Sequence, residues 1–332
     1  MVTLALTEAE QVCIDAALAA GASAPAAESI ARATVAAEAD GQASVGLSHF
    51  IDYLEALEAG RIRGEAAPAL TRPAPTIILS DADGGTAHLG FDLAFDDLVA
   101  AAETFGVAIF SQRNAFTSGA LGWYTARLAE RGLVALAATS GPAFLAGSGT
   151  TKPVFCTNPM SFAAPREGGP PLLVDQSSSA TAYVNIRAAA ERGETIPEGW
   201  ALGPDGQPTT DPNQAMRGAL LAFGGSRGAN IALMVEVLAA GLSGTNWSVD
   251  SPPFSEGSES PGSGLFVLAI DPKLFGDGFP ERLGAHLGRL AAEFGMHLPG
   301  EAKAARRIVS ERDGLRVDPA VLARIIAFIP GH

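Results

Sequence analysis

Cysteine, histidine and lysine are scarce in this chain of 332 residues, and each scarcity excludes a class of site. The two cysteines, Cys13 and Cys156, lie too far apart for a disulfide framework or a metal knuckle. The five histidines do not pair at the spacing of metal ligands, so we expect no metal. Lysine occurs only at Lys152, Lys273 and Lys303, so arginine supplies almost all of the positive charge.

Basic residues are also in deficit, with 22 against 36 acidic residues and a net charge of −14. A surface of this sign repels nucleic-acid phosphates and anionic lipids, so we expect neither nucleic acid nor membrane as a partner. No uncharged stretch reaches the ~18 apolar residues of a spanning helix. The first twenty residues carry three acidic groups and no basic one, unlike a signal peptide. These features predict a cytoplasmic protein in a reducing compartment.

Alanine and glycine are abundant, and 47% of the residues are hydrophobic, which is typical of a globular chain. The first sixty residues predict three helices. Thr7 and Glu10 have the spacing of a capping box, Ser23 and Pro25 open a second helix, and residues 48–60 form the third. Residues 279–332 return to helical patterns, notably over 320–328.

Between these ends, after a proline-rich link at residues 68–75, short β-rich runs alternate with helical patterns. The predicted strands are 76–80, 107–111, 133–139, 160–164, 172–175 and 265–270, and the predicted helices are 92–104, 119–131 and 229–242. Such alternation favours an α/β domain. Residues 248–264 are rich in Ser, Pro and Gly and predict a mobile surface loop.

Two glycine-rich segments suggest phosphate binding to different degrees. Gly147-Ser-Gly-Thr-Thr-Lys152 lacks the third glycine of a dinucleotide fingerprint, and Pro153 blocks the helix that should follow, so we interpret it as an ordinary turn. Gly224-Gly-Ser-Arg-Gly228 precedes a helix and places Arg227 beside free backbone N–H groups. A phosphate cradle and a plain turn are both open interpretations there.

Three polar positions can each have a purely structural role or a functional one. Asp175-Gln-Ser-Ser-Ser179 follows an apolar run and is either a ligand loop at a strand end or a surface turn. Ser44 is typical of a helix cap. His49 falls in the first turn of the third helix and is either a solvated histidine or, because the helix dipole favours the neutral form, an imidazole able to accept a proton. These residues alone define no reaction.

Six segments together resemble the malate/L-lactate dehydrogenase type 2 oxidoreductases, which are distinct from the Rossmann lactate dehydrogenases. In chain order they are Cys156-Thr-Asn-Pro159, Ile196-Pro-Glu-Gly-Trp-Ala201, Gly206-Gln-Pro-Thr-Thr-Asp-Pro212, Phe223-Gly-Gly-Ser-Arg-Gly228, Ala232-Leu-Met-Val-Glu236 and Leu298-Pro-Gly-Glu301. The resemblance covers nearly the whole chain. It implies a non-Rossmann NAD(P)H-binding α/β domain (73–278), a helical domain built from both chain ends (1–72 and 279–332), and a homodimer acting on a small molecule.

By position, the resemblance also implies site residues. The cofactor, NADPH with NADH as a possibility, would contact Thr117, Ser118, Gly119, Ala120, Leu121, Asp175, Gln176, Ser177, Ser226, Arg227, His297, Leu298, Pro299, Gly300, Glu301, Ala302 and Lys303. The substrate would contact His49, Thr157, Tyr183 and Val184, and the catalytic positions are Ser44, His49 and Asn185. The preference for NADPH rests on the family and on Arg227, which suits a 2′-phosphate.

The chain departs from this family at its proton donors. The relay histidine is replaced by Val45, the arginine for the substrate carboxylate by His49, and a second histidine by Thr117. Asn185 stands where the family has an acidic residue or lysine, and Ser226-Arg227 replaces a His-Lys pair. The strong proton donors of the family pattern are therefore absent or replaced.

This loss favours one reaction over another. Reducing a 2-oxo acid builds an alkoxide, and a positioned acid contributes about 10²–10⁴ in rate. A cyclic iminium already carries its proton, so binding and orientation suffice. We therefore predict NADPH-dependent reduction of Δ1-pyrroline- or Δ1-piperideine-2-carboxylate to L-proline or L-pipecolate. The alternatives are a 2-hydroxy acid dehydrogenase of malate, lactate or sulfolactate type with His49 as its acid/base, and a non-enzymatic binding protein.

Overall fold

The computed structural model describes residues 1–331, which contain eleven α-helices and fourteen strands. The helices are α1 Leu6–Ala19, α2 Ala24–Ala39, α3 Leu47–Glu58, α4 Ala87–Phe105, α5 Gly122–Glu130, α6 Tyr183–Arg192, α7 Pro212–Ala215, α8 Ser226–Glu236, α9 Phe279–Phe294, α10 Glu301–Asp313 and α11 Pro319–Ile326. The strands are β1 Val2–Leu4, β2 Ala69–Ala74, β3 Ile77–Asp81, β4 Val107–Ala115, β5 Val134–Thr139, β6 Leu145–Ala146, β7 Pro153–Phe155, β8 Met160–Ala164, β9 Leu172–Gln176, β10 Ala201–Leu202, β11 Pro208–Thr209, β12 Ala219–Leu220, β13 Ser263–Ile270 and β14 Leu315–Val317. Residue 332, the last of the predicted C-terminal part, lies outside the described residues.

A seven-stranded sheet in the order β2-β3-β4-β13-β5-β8-β9 forms the centre of the fold. Its β3–β4 pair is parallel and is connected through α4, and the other neighbouring pairs are antiparallel. Apolar residues of β4, β5 and β13 are buried against α4 and α5, with Phe91, Phe110 and Tyr124 among the largest fully buried side chains. The predicted α/β fold is confirmed, and this sheet carries its larger core.

Both chain ends contribute to one helical core. Helices α1, α2 and α3 pack together with Leu315, Val317 and Ile325 from the C-terminal segment. Strands β1 and β14 pair antiparallel, with Val2 opposite Val317. The helical domain built from both ends is therefore confirmed, and α9 lies instead against the β8–β9 hairpin, where the Glu167 amide bonds to the Pro280 carbonyl at 2.9 Å.

A second, smaller sheet in the order β11-β10-β12-β6-β7 has its own core, which includes Ile186 and Ala189 of α6. This sheet was not predicted, because strands of two or three residues are too short to show a period-2 pattern in the sequence. The segment 147–152 is a turn between β6 and β7, as interpreted from the sequence.

Several predicted boundaries were wrong for local reasons. Helix α1 begins at Leu6, and Glu8 rather than Glu10 accepts a hydrogen bond from the first free amide, that of Ala5, at 2.8 Å. The proline-rich link is strand β2, which lies at the sheet edge, where proline removes no ladder hydrogen bond. The predicted helices 92–104, 119–131 and 229–242 correspond to α4, α5 and α8, and a π-helical turn, Val237–Gly241, follows α8.

The domain boundaries at 72–73 and 278–279 remain predictions. Within residues 1–331, none of the helices has both the length and the apolar character needed to cross a bilayer. The loop predicted over residues 248–264 is exposed at residues 255–259. Residues 248–250 form a 3₁₀ turn with Ser248 buried, Phe254 packs against the helical core, and residues 263–264 belong to β13. The prediction was therefore correct at the centre of the loop and wrong at its end, and its mobility remains a prediction.

Candidate active site

Asp175, at the end of β9, joins three segments of the chain. Its Oδ2 accepts hydrogen bonds from the Gln42 side chain at 3.3 Å and from the Gly122 amide at 3.1 Å. The Lys303 ammonium lies 3.4 Å from the same oxygen. One carboxylate therefore fixes the turn after α2, the start of α5 and the start of α10.

Ser178 connects the same strand end to two further segments. Its amide donates to the Thr157 carbonyl at 2.8 Å, and its hydroxyl donates to the Asn158 carbonyl at 2.8 Å. Its own carbonyl accepts from the Phe223 amide at 3.1 Å. The predicted substrate threonine and the glycine loop before α8 are thus held beside the Asp175 segment.

The N-termini of α5, α6, α8 and α10 all lie next to residues 175–181. The contacts of Asp175 and Ser178 place α5, α10 and α8 there, and the Ser179 hydroxyl donates to the Thr181 carbonyl at 2.5 Å just before α6. Helix N-termini present free N–H groups and partial positive charge, which favour anionic ligands. This arrangement fits the phosphates of a dinucleotide, with Lys303 and the exposed Arg227 as the nearest predicted cations.

Glycine is required at two positions of the predicted cofactor segments, because the backbone there has a positive φ and neighbouring residues lie too close for a Cβ. Gly300 has φ +91°, and a Cβ there would lie 2.9 Å from the Leu173 Cβ. Gly119 has φ +61°, and its Cβ would lie 2.9 Å from Nε2 of His88 and 3.5 Å from the Tyr53 hydroxyl. Both glycines are therefore packed closely against neighbouring residues, and a side chain at either position would displace those neighbours.

The side chains of His88 and Tyr53 lie against Gly119 in the Thr117–Leu121 segment. Both are buried, with 2% of each side chain exposed. Burial lowers the pKa of His88 to about 4 and raises the pKa of Tyr53, so both are neutral at physiological pH. Ser118, also buried, donates to the Thr139 hydroxyl at 3.1 Å.

His49 lies in the first turn of α3, as predicted, and is held by two neighbours. Its Nδ1 lies 2.8 Å from Oδ2 of Asp52, and its ring contacts Tyr53 edge to face with centroids 4.7 Å apart. Burial alone would raise the pKa of Asp52, but the hydrogen bond from His49 and the charges of His49 and Arg187 outweigh it and lower that pKa. Asp52 is therefore an ionised acceptor, and Nδ1 donates.

Ser44 lies in a short 3₁₀ turn, Ala43–Val45, with its side chain exposed. Glu38 fixes the far end of this turn, because its Oε2 accepts from the Leu47 amide at 2.9 Å at the start of α3. Burial raises the pKa of Glu38, and the Leu47 amide opposes this shift. Gly46 lies directly against the Glu38 carboxylate, so a Cβ at this position would collide with it.

Helix α6 faces α3 across a cleft between the helical core and the smaller sheet. Asn185, on α6, donates to the Thr181 hydroxyl at 3.0 Å. Arg187, further along α6, places a guanidinium nitrogen 3.6 Å from Oδ2 of Asp52. Tyr183 and Val184 are partly buried in the first turn of α6.

Four aromatic rings form a continuous wall that ends on α6. Phe116 contacts Phe254 with centroids 5.6 Å apart, Phe254 stacks on Phe144 at 6.4 Å, and Phe144 lies 4.9 Å from Tyr183. Phe254 comes from the 248–264 loop, which the sequence placed at the surface. The wall runs from the residue before the Thr117–Leu121 segment to the start of α6.

The structure thus brings most predicted site residues into two adjoining groups. One surrounds the Asp175–Ser178 strand end, and the other surrounds His49 and the start of α6. Gln176 is exposed on the Asp175 segment, and Ser177 bonds to the Ser179 hydroxyl at 2.9 Å. Ser226, Arg227 and His297 are exposed and make no hydrogen bond through their side chains within residues 1–331. The roles of all these residues remain predictions.

Four residues of the site were not predicted from the sequence: Gln42, Tyr53, Asp52 and Arg187. The spacing of His49 and Asp52, three apart on one helix, is the one signal that pointed to their contact. Among residues 1–331, no three His, Cys, Asp or Glu side chains are grouped as a metal site requires.

Comparison with known proteins relates this geometry to enzymes. The family model described as malate/L-lactate dehydrogenase matches residues 4–326. A Δ1-pyrroline-2-carboxylate reductase of Ancylobacter novellus is 38% identical, with 99% of this chain and 98% of that protein covered. A (2R)-3-sulfolactate dehydrogenase (NADP⁺) of Chromohalobacter salexigens is 36% identical, with 98% and 97% covered. The crystal structure of Δ1-piperideine-2-carboxylate reductase from Pseudomonas syringae pv. tomato superposes with a TM-score of 0.94 at 30% identity, covering 99% and 100% of the two chains.

Proposed function

The chain belongs to the malate/L-lactate dehydrogenase family, and from this premise we propose that it reduces a cyclic ketimine 2-carboxylate with NADPH. The substrate is Δ1-pyrroline-2-carboxylate or Δ1-piperideine-2-carboxylate, and the product is L-proline or L-pipecolate. The observation that carries the proposal is the set of groups around the cleft, which offers hydroxyls, one amide, one imidazole held by Asp52, and the Arg187 guanidinium. The reductases among its relatives support the same substrate class.

The cofactor would be held where four helix N-termini meet. Backbone N–H groups of the Thr117–Leu121, Asp175–Ser177 and His297–Lys303 segments would bind it, and the close packing at Gly119 and Gly300 fixes the backbone of two of these segments. Arg227 is exposed at the start of α8 and suits a 2′-phosphate, which favours NADPH over NADH. When bound, the cofactor supplies the hydride.

The groups of this site match the proton requirement of an imine. Hydride addition to the C2 carbon of an iminium moves the C=N electron pair to a nitrogen that already bears a proton. The neutral amine forms without proton transfer in that step, so the chain has to bind, orient and exclude water. A 2-oxo acid would instead require an acid for its developing alkoxide.

Each polar residue then has a role suited to its position. The exposed Ser44 hydroxyl bonds to the substrate, and Thr157 holds the carboxylate. Asn185 orients the ring nitrogen, and Tyr183 and Val184 contact the ring beside the aromatic wall. His49 binds the substrate through Nε2, since its Nδ1 is occupied by the hydrogen bond to Asp52.

A second candidate function is oxidation of a 2-hydroxy acid. The His49–Asp52 pair favours it, because a carboxylate that orients an imidazole is the usual arrangement of a general base. The sulfolactate dehydrogenase among the relatives supports it as well. In this case His49 is the sole acid/base of the reaction.

The two functions are separated by assaying the purified protein with NADPH and a panel of substrates. We expect NADPH consumption with Δ1-pyrroline- or Δ1-piperideine-2-carboxylate and formation of the L-amino acid, identified by chiral chromatography. Pyruvate, oxaloacetate and sulfopyruvate should be poor substrates. Turnover of the oxo acids alone would establish the dehydrogenase, and cofactor binding with no turnover of any substrate would indicate a binding protein.

We also propose a homodimer. Large apolar side chains are exposed along α8 and the segment after it, where a second copy would cover them: Leu233, Met234, Val237, Leu242, Trp247 and Val249. Contiguous apolar patches of this kind are typical of subunit interfaces. Light scattering should give twice the 33.8 kDa chain mass, and a monomer at micromolar concentration would refute the proposal.

A cytoplasmic location fits the thiols and the cofactor. Cys13 and Cys156 are both free and buried, and NADPH is supplied by the cytoplasm. Fractionation of cells that produce the protein should place it with cytoplasmic enzymes.

A further inference from the structure

Arg187 reaches from α6 across the cleft toward α3. Helix α6 packs through Ile186 and Ala189 on the smaller sheet, whereas Asp52 and His49 lie on α3, which packs in the helical core. The guanidinium of Arg187 nevertheless lies 3.6 Å from the Asp52 carboxylate. Arg187 therefore places the cation of a helix that packs on the smaller sheet beside a carboxylate on a helix of the helical core.

The guanidinium of Arg187 is only loosely engaged. Lys303 is paired with Asp175, and Arg307 forms two hydrogen bonds to Asp40 at 2.7 and 3.1 Å. The contact of Arg187 is longer than a hydrogen bond, and within residues 1–331 its five N–H donors have no other partner. Its side chain is 44% exposed, so these donors are accessible from the cleft.

The surroundings of Arg187 suit a small cyclic acid. Tyr183 lies one helical turn before it on the same face of α6 and begins the aromatic wall through Phe144. An apolar wall beside a planar cation matches a ring of methylenes that carries one carboxylate. In a chain of net charge −14, such an anion requires a dedicated cation to bind.

We propose that Arg187 binds the 2-carboxylate of the substrate, with two parallel N–H···O bonds, and that Asp52 holds the guanidinium in place before the substrate arrives. This inference rests on the proposed function and defines its specificity. It adds a cation on α6 to the Thr157 hydroxyl at the carboxylate, and it leaves Nε2 of His49 to accept a hydrogen bond from the ring nitrogen beside Asn185. A bidentate guanidinium recognises a planar carboxylate better than a lysine does.

The test compares a substrate with and without its carboxylate. Arg187→Met and Arg187→Lys are assayed with Δ1-pyrroline-2-carboxylate and with 2-methyl-1-pyrroline, which keeps the ring and the imine. Arg192→Met is the matched control, since Arg192 lies in the last turn of the same helix and pairs with Glu194 at the surface. Thermal unfolding within a few degrees of the wild type shows that each variant is folded.

We expect Arg187→Met to lower kcat/KM for the carboxylate substrate by about 100-fold, mainly through KM, and to leave 2-methyl-1-pyrroline unchanged. Arg187→Lys should recover part of this loss, and Arg192→Met should match the wild type. Equal losses on both substrates, or none on either, would overturn the assignment.

Binding of pyrrole-2-carboxylate, measured by calorimetry, separates failure of this inference from failure of the proposed function. If the wild type reduces no ketimine, the proposed function fails. The carboxylate site then stands only if the wild type binds this anion and Arg187→Met does not. If ketimines are reduced and Arg187→Met binds the anion as the wild type does, the inference alone fails.

Discussion

Nδ1 of His49 lies 2.8 Å from Oδ2 of Asp52, and this contact fixes the protonation pattern of the one imidazole in the cleft. Because the carboxylate can only accept, Nδ1 carries a hydrogen and Nε2 is the nitrogen available to a ligand. A single oriented nitrogen suffices to bind an imine substrate. It does not replace the several proton donors that the family pattern provides.

Removal of both the Ser44 hydroxyl and the His49 imidazole should abolish efficient catalysis. We expect Ser44→Ala/His49→Ala to lower kcat/KM for the ketimine by about 100-fold or more, since both groups are proposed to contact the substrate. The measurement is steady-state oxidation of NADPH. Ser258→Ala/His286→Ala, which changes two exposed residues outside the cleft, is the control. Full activity in the Ser44/His49 variant would remove both assignments.

The lowered pKa of Asp52 predicts a small dependence of stability on pH. In the folded state this pKa lies below its ordinary value of 3.8, so ionised Asp52 contributes its full stabilisation above that value. The contribution is lost as pH falls through the folded-state pKa. In urea titrations, the free-energy difference between wild type and Asp52→Asn should therefore shrink between pH 6 and pH 3. Asp96→Asn, at a 90% exposed side chain, should show less change, and a constant difference for Asp52→Asn would contradict the prediction.

Gly46→Ala should disturb the Ser44 turn. Gly46 has φ −96° and ψ −143°, outside the regions that other residues favour, and a Cβ would also collide with the Glu38 carboxylate that caps α3. We expect about a tenfold loss of kcat/KM as the turn shifts. Gly288→Ala is the matched control, because its Cβ meets no atom within 4 Å on α9. Equal activity of the two variants would show that the turn is not part of the site.

Gly119→Ala should weaken cofactor binding. Both Gly119 and Gly132 have positive φ, +61° and +85°, so alanine costs about 1–2 kcal/mol of backbone energy at either position. Only at Gly119 does the added Cβ also meet His88, at 2.9 Å. Fluorescence titration should show the Kd for NADPH rising about tenfold in Gly119→Ala and little in Gly132→Ala. Similar values for the two variants would refute the role of the Thr117–Leu121 segment.

The larger sheet was predictable because its strands carry a strong local signal. Strands β4, β5 and β13 are buried apolar runs between turns, which sequence patterns detect. Strand β2 was missed because prolines mark a link unless the strand lies at a sheet edge, and edge position is a tertiary property. The smaller sheet depends on pairs of two-residue strands that only the folded chain aligns.

The candidate site was predictable where it consists of continuous segments. Thr117–Leu121 and Asp175–Ser177 were predicted from their position in the family pattern, and the structure places both beside helix N-termini, while their roles remain predictions. The bond between Gln42 and Asp175 joins residues 133 positions apart, and no pattern in one sequence reports it. The ion pair of Asp52 with Arg187 depends in the same way on how the two cores are placed.

The central claim is that this site reduces a substrate that brings its own proton. It is tested most directly by single-turnover hydride transfer from NADPH to Δ1-pyrroline-2-carboxylate and to pyruvate, each at saturation with the same enzyme. We predict that transfer to the ketimine is at least about 100-fold faster, since a positioned acid contributes about 10²–10⁴ to the reduction of an oxo acid. Rapid reduction of pyruvate, with none of the ketimine, would contradict the account.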